Sequence, residues 1–369
     1  MLRRLCVDNY KCLVGLDAHF DEFNLLIGDN GSGKSAMFGV LGAVRSLLRG
    51  TSRITDDGVL PVSTLNRWLQ SATQTIEIET ELRGDTCTYT LEVEHDVKQG
   101  RARIRREALF DGVWPLFEFV DGDVQLYRDD HSPGPVYSAD WTESALARVQ
   151  HRHDNQRLAR SVDYLRNSTI LTIRPESVRA HSDREDPWLE SDASNLVNWY
   201  RHIVQESPRL VAAYEDALEE SISDFRSMRL EKVGVATRAC MVDFLIANQQ
   251  IAVALDELSD GQRALMVLYG LVHLGRQHLG LLIIDEPENF LSLREIQPWL
   301  TEIEEACEEG FTQVVLASHH PELIDLVSGH AGLVLRRDSN GATSCTRPDE
   351  DLFEAGVAYS ELIARGWDE

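Results

Sequence analysis

A chain of 369 residues with 43% hydrophobic and 26% charged content can bury a sizeable core and has the balance of an ordinary globular protein. Its net charge of −25 argues against indiscriminate binding of the whole surface to nucleic acid or anionic lipid, so any such contact needs a local patch. No apolar run approaches the roughly 18 residues of a membrane helix. Six scattered cysteines without a C-x-x-C pair fit reduced thiols better than a disulfide framework or a zinc site. Met1-Leu2-Arg3-Arg4 is not followed by an apolar leader, so the expectation is a cytoplasmic protein without a membrane partner.

In chain order, Phe23–Ile27 is a short apolar run that reads as a strand, and Ala36–Leu48 has helical periodicity. A second helix is expected around Leu65–Ser71. Ile76–Leu82 and Tyr89–Val93 alternate in polarity about Arg83-Gly84-Asp85, the pattern of a β-hairpin. Strand-like pieces continue to Tyr127 through turns at Asp111-Gly112 and Asp121-Gly122, and Asp129–Ala139, with Pro133, Gly134 and Pro135, reads as a loop. The texture turns helical from Thr142 to about Asp224, with a stripe of Leu210, Tyr214, Leu218 and Ile222 behind Pro208. Strands resume from Met228 to Leu258. There is no internal repeat and no sustained heptad pattern.

Between the first strand and the first helix lies Gly28-Asp29-Asn30-Gly31-Ser32-Gly33-Lys34-Ser35, which matches G-x-x-x-x-G-K-[ST] in the strand–loop–helix context that gives the motif its meaning. Gly28, Gly31 and Gly33 let backbone N–H groups, with those of Asn30 and Ser32, converge on phosphates at a helix N-terminus. Lys34 supplies a cation for the β and γ phosphates, and the Ser35 hydroxyl a ligand for Mg2+. The loop therefore points to ATP with Mg2+. Lysine is otherwise scarce, at Lys11, Lys98 and Lys232 only, which makes Lys34 harder to read as incidental.

Three further elements carry chemistry. Leu281-Leu282-Ile283-Ile284 is an unbroken apolar run ending in Asp285-Glu286, and a double acid cannot sit in a core unpaired. Asp285 is a candidate for the magnesium shell and Glu286 for polarising the attacking water. Leu258-Ser259-Asp260-Gly261-Gln262-Arg263 leads into a helix from Ala264 to about Leu274; Ser259 can cap it, leaving N–H groups for a second anion site. Val314–Ser318 is another buried strand, and it ends in His319-His320, where His319 can sense a γ-phosphate.

These elements, in this order, resemble the Walker A, signature, Walker B and switch-histidine motifs of ATP-binding cassette ATPases. The chain looks like the soluble branch that contains RecF, SMC-type proteins and OLD-like ATPases, close to predicted AAA-family ATPases with an ABC-type core. The narrower cues are Asn9-Tyr10-Lys11, the hairpin after the loop, Leu-Ser-Asp-Gly at 258–261, Asp-Glu-Pro-Glu-Asn at 285–289, Ser-His-His-Pro-Glu-Leu at 318–323 and Ser194-Asn195-Leu196. The resemblance implies an α/β P-loop fold of ABC-ATPase type, with a mixed sheet, an antiparallel β subdomain and an inserted mainly helical region. It divides the chain into an N-terminal core part (1–99), an insertion (100–238) and a C-terminal core part (239–369). It also implies a head-to-tail homodimer in the ATP state, in which Ser259, Gly261 and Gln262 meet the nucleotide held by the partner's loop, Glu286 drives hydrolysis and His319 assists. Ser292 stands where the family has its D-loop aspartate, and Glu176, after Ile173-Arg174-Pro175, where a Q-loop glutamine is expected. The lack of heptads leads to the expectation of a protein without long SMC-like arms, and the short stretch after His319 to that of one without the C-terminal OLD nuclease domain.

The leading functional expectation is an ATPase that drives or gates an effector such as a nuclease, toxin or repair factor, in DNA repair or anti-phage defence. DNA could meet one of two arginine groups: Arg101, Arg103, Arg105 and Arg106, or Arg148, Arg152, Arg157 and Arg160 with His151 and His153. The blander reading pairs those arginines with nearby carboxylates. A second expectation is a low-turnover switch or scaffold that holds a toxin or nuclease. A transporter subunit fits less well, because of the long insertion and the missing Q-loop.

Overall fold

A computed structural model describes residues 1–275, 280–348 and 358–365; of the expected C-terminal core part, 276–279, 349–357 and 366–369 lie outside the described residues. The chain forms two compact units, Met1–Ser168 with Ile324–Glu369, and Thr169–Leu323.

The first unit begins β1 (Leu2–Asp8), β2 (Leu16–His19), β3 (Phe23–Ile27) and α1 (Lys34–Leu48). It continues β4 (Thr73–Leu82), β5 (Asp85–Asp96), β6 (Arg101–Asp111), β7 (Trp114–Val120), β8 (Asp123–Tyr127), β9 (Pro133–Ser138) and α2 (Gln156–Arg166). All of these strands except β3 form one antiparallel sheet in the order β2-β1-β4-β5-β6-β7-β8-β9. Period-two patterning sets its faces: along β4, Gln74, Ile76, Ile78 and Thr80 are buried while the residues between them are not. The expected hairpin is present. Its two-residue turn, Arg83-Gly84, has φ of 56° and 85°, the primed geometry that matches strand twist and fixes the Leu82↔Asp85 register.

Two local expectations fail here. Leu65–Ser71 is not helical. The Asn66 amide oxygen accepts the N–H groups of Trp68 and Leu69 at 3.0 Å each, and the Asn9 amide donates to Ser71 and Thr73 carbonyls at 2.9 and 2.8 Å. Asparagine side chains thus take backbone groups that a helix would need. The expected loop at Asp129–Ala139 contains β9, which pairs with β8 through Gln125↔Val136 and Tyr127↔Pro133. As the edge strand of the sheet it tolerates Pro133 and Pro135, whose missing N–H groups cost no ladder bond.

The second unit runs β10 (Thr169–Leu171), β11 (His181–Ser182), α3 (Leu196–Glu206), α4 (Arg209–Ser221), β12 (Phe225–Val233), β13 (Thr237–Ile246) and β14 (Gln249–Ala254). It then continues α5 (Asp260–His273), β15 (Leu281–Asp285), α6 (Leu293–Glu308) and β16 (Gln313–Ala317). β10, β15 and β16 lie parallel, with β16 wholly buried and β15 buried up to Ile284. β10 falls in the stretch expected to be helical; three residues are too few to show a period. The α4 stripe buries Tyr214 and Leu218, and the Tyr214 hydroxyl donates to the Met266 carbonyl of α5 at 2.8 Å. From the α6 side, Trp299 donates to the Leu268 carbonyl at 2.8 Å. Contacts on two sides explain why α5 is buried continuously from Ala264 to Val272.

The chain then passes through α7 (Pro321–Ala331), β17 (Gly332–Arg337), β18 (Thr343–Thr346) and α8 (Tyr359–Arg365). β17 pairs in parallel with β3 through Leu333↔Leu26 and antiparallel with β18. The architecture is therefore α/β, with parallel strands bearing the motifs, an antiparallel β sheet and a middle that holds α2, α3 and α4 among further strands.

Candidate functional site

In the first unit the glycine loop follows β3 and opens α1. Gly28, Gly31 and Gly33 have φ of 155°, 85° and 121°. A Cβ on Gly28 would lie 2.4 Å from the Leu335 carbonyl oxygen, and one on Gly33 2.9 Å from Thr343 Oγ1, so β17 and β18 pack against the loop from behind. Thr343 also donates to the Ser32 carbonyl at 2.8 Å. Around Gly31 no atom lies within 4 Å of a built Cβ, and a cavity of about 320 Å³ spans Gly28 to Ser32 and the β17 residues Leu335, Arg336 and Arg337.

The loop fits an anion. α1 has no side-chain cap and no acid in its first turn, so neither a hydroxyl nor a carboxylate occupies its leading N–H groups. Lys34 curls its ammonium onto the carbonyls of Gly28 and Asp29, inside the loop that a phosphate would enter. Ser32 Oγ is buried without a hydrogen-bond partner among the described residues. Asn30, Gly31 and Ser35 are exposed.

In the second unit Asp285 ends β15, and Glu286 occupies a left-handed conformation, φ 51°, which is uncommon outside glycine. Tertiary bonds hold it there. Its N–H donates to the Ala317 carbonyl at 2.8 Å, Asn289 Nδ2 donates to Oε2 at 2.8 Å, and His319 Nδ1 lies 2.8 Å from Oε1. Beneath them Glu288 is buried, and its Oε1 accepts a short hydrogen bond from the Ser318 hydroxyl, which itself accepts the His320 N–H at 2.9 Å. Burial pushes the Glu288 carboxyl above the usual carboxylate range despite that bond.

Ser259 caps α5 as the sequence suggested. Its hydroxyl accepts the Gln262 N–H at 3.3 Å, and Gln262 Oε1 accepts the Ser259 N–H at 3.1 Å, a capping box that turns the Gln262 side chain back onto Ser259. A Cβ on Gly261 would lie 3.0 Å from the Phe290 carbonyl oxygen, which places the helix start beside the loop that follows the double acid. Ser292 caps α6, with Glu295 Oε2 accepting its N–H at 2.8 Å.

Within the second unit the fold thus gathers Asp285, Glu286 and His319 at one strand edge and Ser259, Gly261 and Gln262 at the start of α5. The residues from Gly28 to Ser35 form their own site in the first unit. Glu288, Asn289 and Ser318 lie within the strings at 285–289 and 318–323, from which the sequence predicts no role for them. The signal for Glu288 is a further acid two residues after Glu286, inside the turn that begins at Pro287. Among the described residues no group of three or more His, Cys, Asp or Glu could hold a metal. Among the described residues no two cysteines form a disulfide, and no helix is long and apolar enough to cross a membrane.

Most of the arginines offered for DNA are paired. Arg103 meets Glu94 at 2.6 Å, Arg106 meets Glu92 at 3.7 Å, Arg148 meets Glu143 at 2.7 Å, Arg152 meets Asp154 at 3.2 Å and Arg160 meets Asp85 at 2.8 Å. Arg157 pairs with Asp111.

This fold is that of an ABC-type ATPase of the SMC/RecF-like branch. The chain belongs to the family described as "AAA domain, putative AbiEii toxin, Type IV TA system", which it matches over residues 23–325. It is similar in structure to an SMC head bound to the C-terminal winged-helix domain of ScpA, with TM-score 0.56 and 10% identity over 94% of this chain and 97% of that one. An SMC head with an extended coiled coil, bound to the C-terminal domain of ScpA derived from Pyrococcus furiosus, gives 0.55 and 11% over 98% and 99%. The SMC head of Thermotoga maritima gives 0.50 and 14% over 94% and 99%. None of the curated proteins matches the sequence.

Proposed function

We propose that the protein binds and hydrolyses ATP, dimerises around it and uses the cycle to drive or gate an effector protein. The observation that carries this reading is Glu286: a carboxylate at the end of a buried strand, in a left-handed conformation, fixed by Asn289 and His319 and only a third exposed. A side chain constrained in this way is positioned to accept a proton from water. Backbone N–H groups from Asn30 to Ser35 bind the phosphates, and Lys34 exchanges its loop carbonyls for the β and γ oxygens. Bound Mg2+ would neutralise charge on the phosphates, with Ser35 as its ligand in the first unit. In the second unit Asp285 is proposed separately as a metal ligand and His319 as a γ-phosphate sensor.

Dimerisation is supported by the start of α5. Ser259 is exposed at a helix N-terminus, with the ring of Phe290, 53% exposed, on the loop beside Gly261. A second copy would place its nucleotide against that terminus and cover the ring. The SMC heads to which the chain is similar are described as bound to ScpA, which supports a protein partner in general, and the division into core parts 1–99 and 239–369 with 100–238 as the partner-facing insertion belongs to the same reading. Anti-phage defence is the leading branch of this reading; the family description, a putative AbiEii toxin of a Type IV TA system, supports an effector of toxin type and with it the second reading, a slow nucleotide switch holding a toxin or nuclease. DNA repair is the weaker branch, because the arginine groups are largely neutralised.

The test is Glu286→Gln with Mg2+ and ATP. Light scattering should show an ATP-stabilised dimer that does not decay, and phosphate release should be lost. A variant that stays monomeric at saturating ATP would sink the sandwich mechanism, and turnover retained at the wild-type rate would remove Glu286 from the chemistry.

A further inference from the structure

Two strand edges of this chain are built on opposite principles. β9, at the edge of the antiparallel sheet, carries Pro133 and Pro135 and a register shift against β8, and prolines and irregularities are what natural edges use to refuse a further strand. β14 in the second unit carries neither. It pairs with β13 from Met241↔Ala254 to Ile246↔Gln249 without a shift, and among the described residues no strand pairs with its other side. From Phe244 to Leu255 the chain has no charged residue, although its charged content is 26%. Gln249, Gln250, Ile251 and Ala252 are all exposed. Ile251 lies across from the buried Phe244, so a strand added beside it extends the core face of the sheet.

The ladder fixes which backbone groups are left over. Ala247 and Asn248 make a two-residue turn with φ of 49° and 63°, so Ile246↔Gln249 is a bonded pair and bonding alternates from there. Gln249, Ile251 and Val253 direct their N–H and C=O groups at β13, and those of Gln250 and Ala252 point away from it. The Ala254 N–H, which also points outward, is taken by Glu257 Oε2 at 3.4 Å. Two residues on either side of Ile251 thus present a complete set of unpaired donors and acceptors to solvent.

We propose that β14 is an interface with a second copy of this chain, the two strands running antiparallel about a two-fold axis at Ile251. In that register Gln250 faces the partner subunit's Ala252 and Ala252 faces the partner subunit's Gln250, so the outward groups of both residues are bonded in both copies. The two Ile251 side chains then meet in the closer, non-bonded kind of pair. Charge favours a second copy over a strand of another protein. Two chains of net charge −25 repel wherever their acidic surfaces meet, and an uncharged strip is where they approach at least cost. Even the ends of the register, Asn248 opposite the partner subunit's Ala254 and Gln249 opposite the partner subunit's Val253, bring no like charges together. The contact is short and belongs with transient pairings. It needs no nucleotide and does not rest on the ATPase reading.

Sedimentation velocity on the nucleotide-free full chain should show monomer passing to dimer between about 1 and 100 μM. Ala252→Pro deletes an outward N–H without touching the β13 ladder, and Ile251→Lys sets like charges opposite each other. Each should weaken dimerisation about tenfold or more while the circular dichroism spectrum is unchanged. The register is read by cysteine trapping. Ile251→Cys places two thiols across the axis within disulfide reach, so mild oxidation should trap a dimer above the wild-type background; Gln249→Cys, about 13 Å from its counterpart, should not. A chain that stays monomeric throughout overturns the proposal and leaves the edge to another protein's strand. A dimer that survives both substitutions, or that both cysteines trap equally, overturns it too. If Ala252→Pro fails to fold, Ile251→Lys decides, because its side chain is 41% exposed.

Discussion

The glycine loop of the first unit and the acidic strand end of the second solve one structural problem with opposite chemistry. Each terminates a buried parallel strand in a turn that needs positive φ, and each then presents polar groups. In the loop, glycines provide the turn at no steric cost, and backbone N–H groups with Lys34 make it electropositive. At the acidic end a glutamate occupies the left-handed conformation, and three separate partners, Ala317, Asn289 and His319, hold it there. The first geometry is local and built from residue type. The second depends on contacts with a neighbouring strand, so it stores more constraint in fewer residues.

That contrast can be broken in several places. The largest effect should come from Glu286→Gln, which removes the proposed base but keeps the shape: phosphate release should fall about 10²–10⁴-fold while ATP binding persists. Gly28→Ala should follow. Its Cβ would meet the Leu335 carbonyl oxygen at 2.4 Å, a backbone atom that cannot swing away, so chemical denaturation should show a loss of about 2–3 kcal/mol. Gly31→Ala, with open space around it, should cost only about 1 kcal/mol for its φ of 85°. Equal losses at the two glycines would show that packing against β17 does not shape the loop.

Asn289→Ala tests the acidic end more gently. Removing one donor to Glu286 should lower turnover about five- to tenfold, on the order of 1 kcal/mol, without changing the denaturation midpoint. The smallest effect concerns Glu288, whose carboxyl burial raises. The folded protein keeps that proton to higher pH than the unfolded chain does, so between the two pKa values the folded state binds more protons and stability falls as pH rises. Glu288→Gln keeps an acceptor for Ser318 and has no proton to lose. Its midpoint should therefore decline less than the wild type between pH 5 and pH 8, and parallel curves would show that Glu288 is not the group responsible.

Much of the fold could be read from residues alone where the signal is local. The Arg83-Gly84 turn, the Ser259 cap with Gln262, and the apolar runs of β15 and β16 each depend on a few adjacent side chains. The expectations that failed did so for identifiable reasons. Leu65–Ser71 lost its helix to amide bonds from Asn66 and Asn9, the latter far away in sequence. β9 was masked by prolines that only an edge position excuses, and β10 is too short to show a period.

At the site the same boundary holds. The glycine loop, the double acid, the helix cap and the histidine after β16 are legible in the chain alone, because each is a run of adjacent residues with short fixed spacing. That Ser318 hydrogen-bonds Glu288, and that Asn289 and His319 grip Glu286, is visible only in the folded chain. Those contacts join residues across strands and turns, and hydrogen-bond geometry between distant segments leaves no periodic trace in the chain.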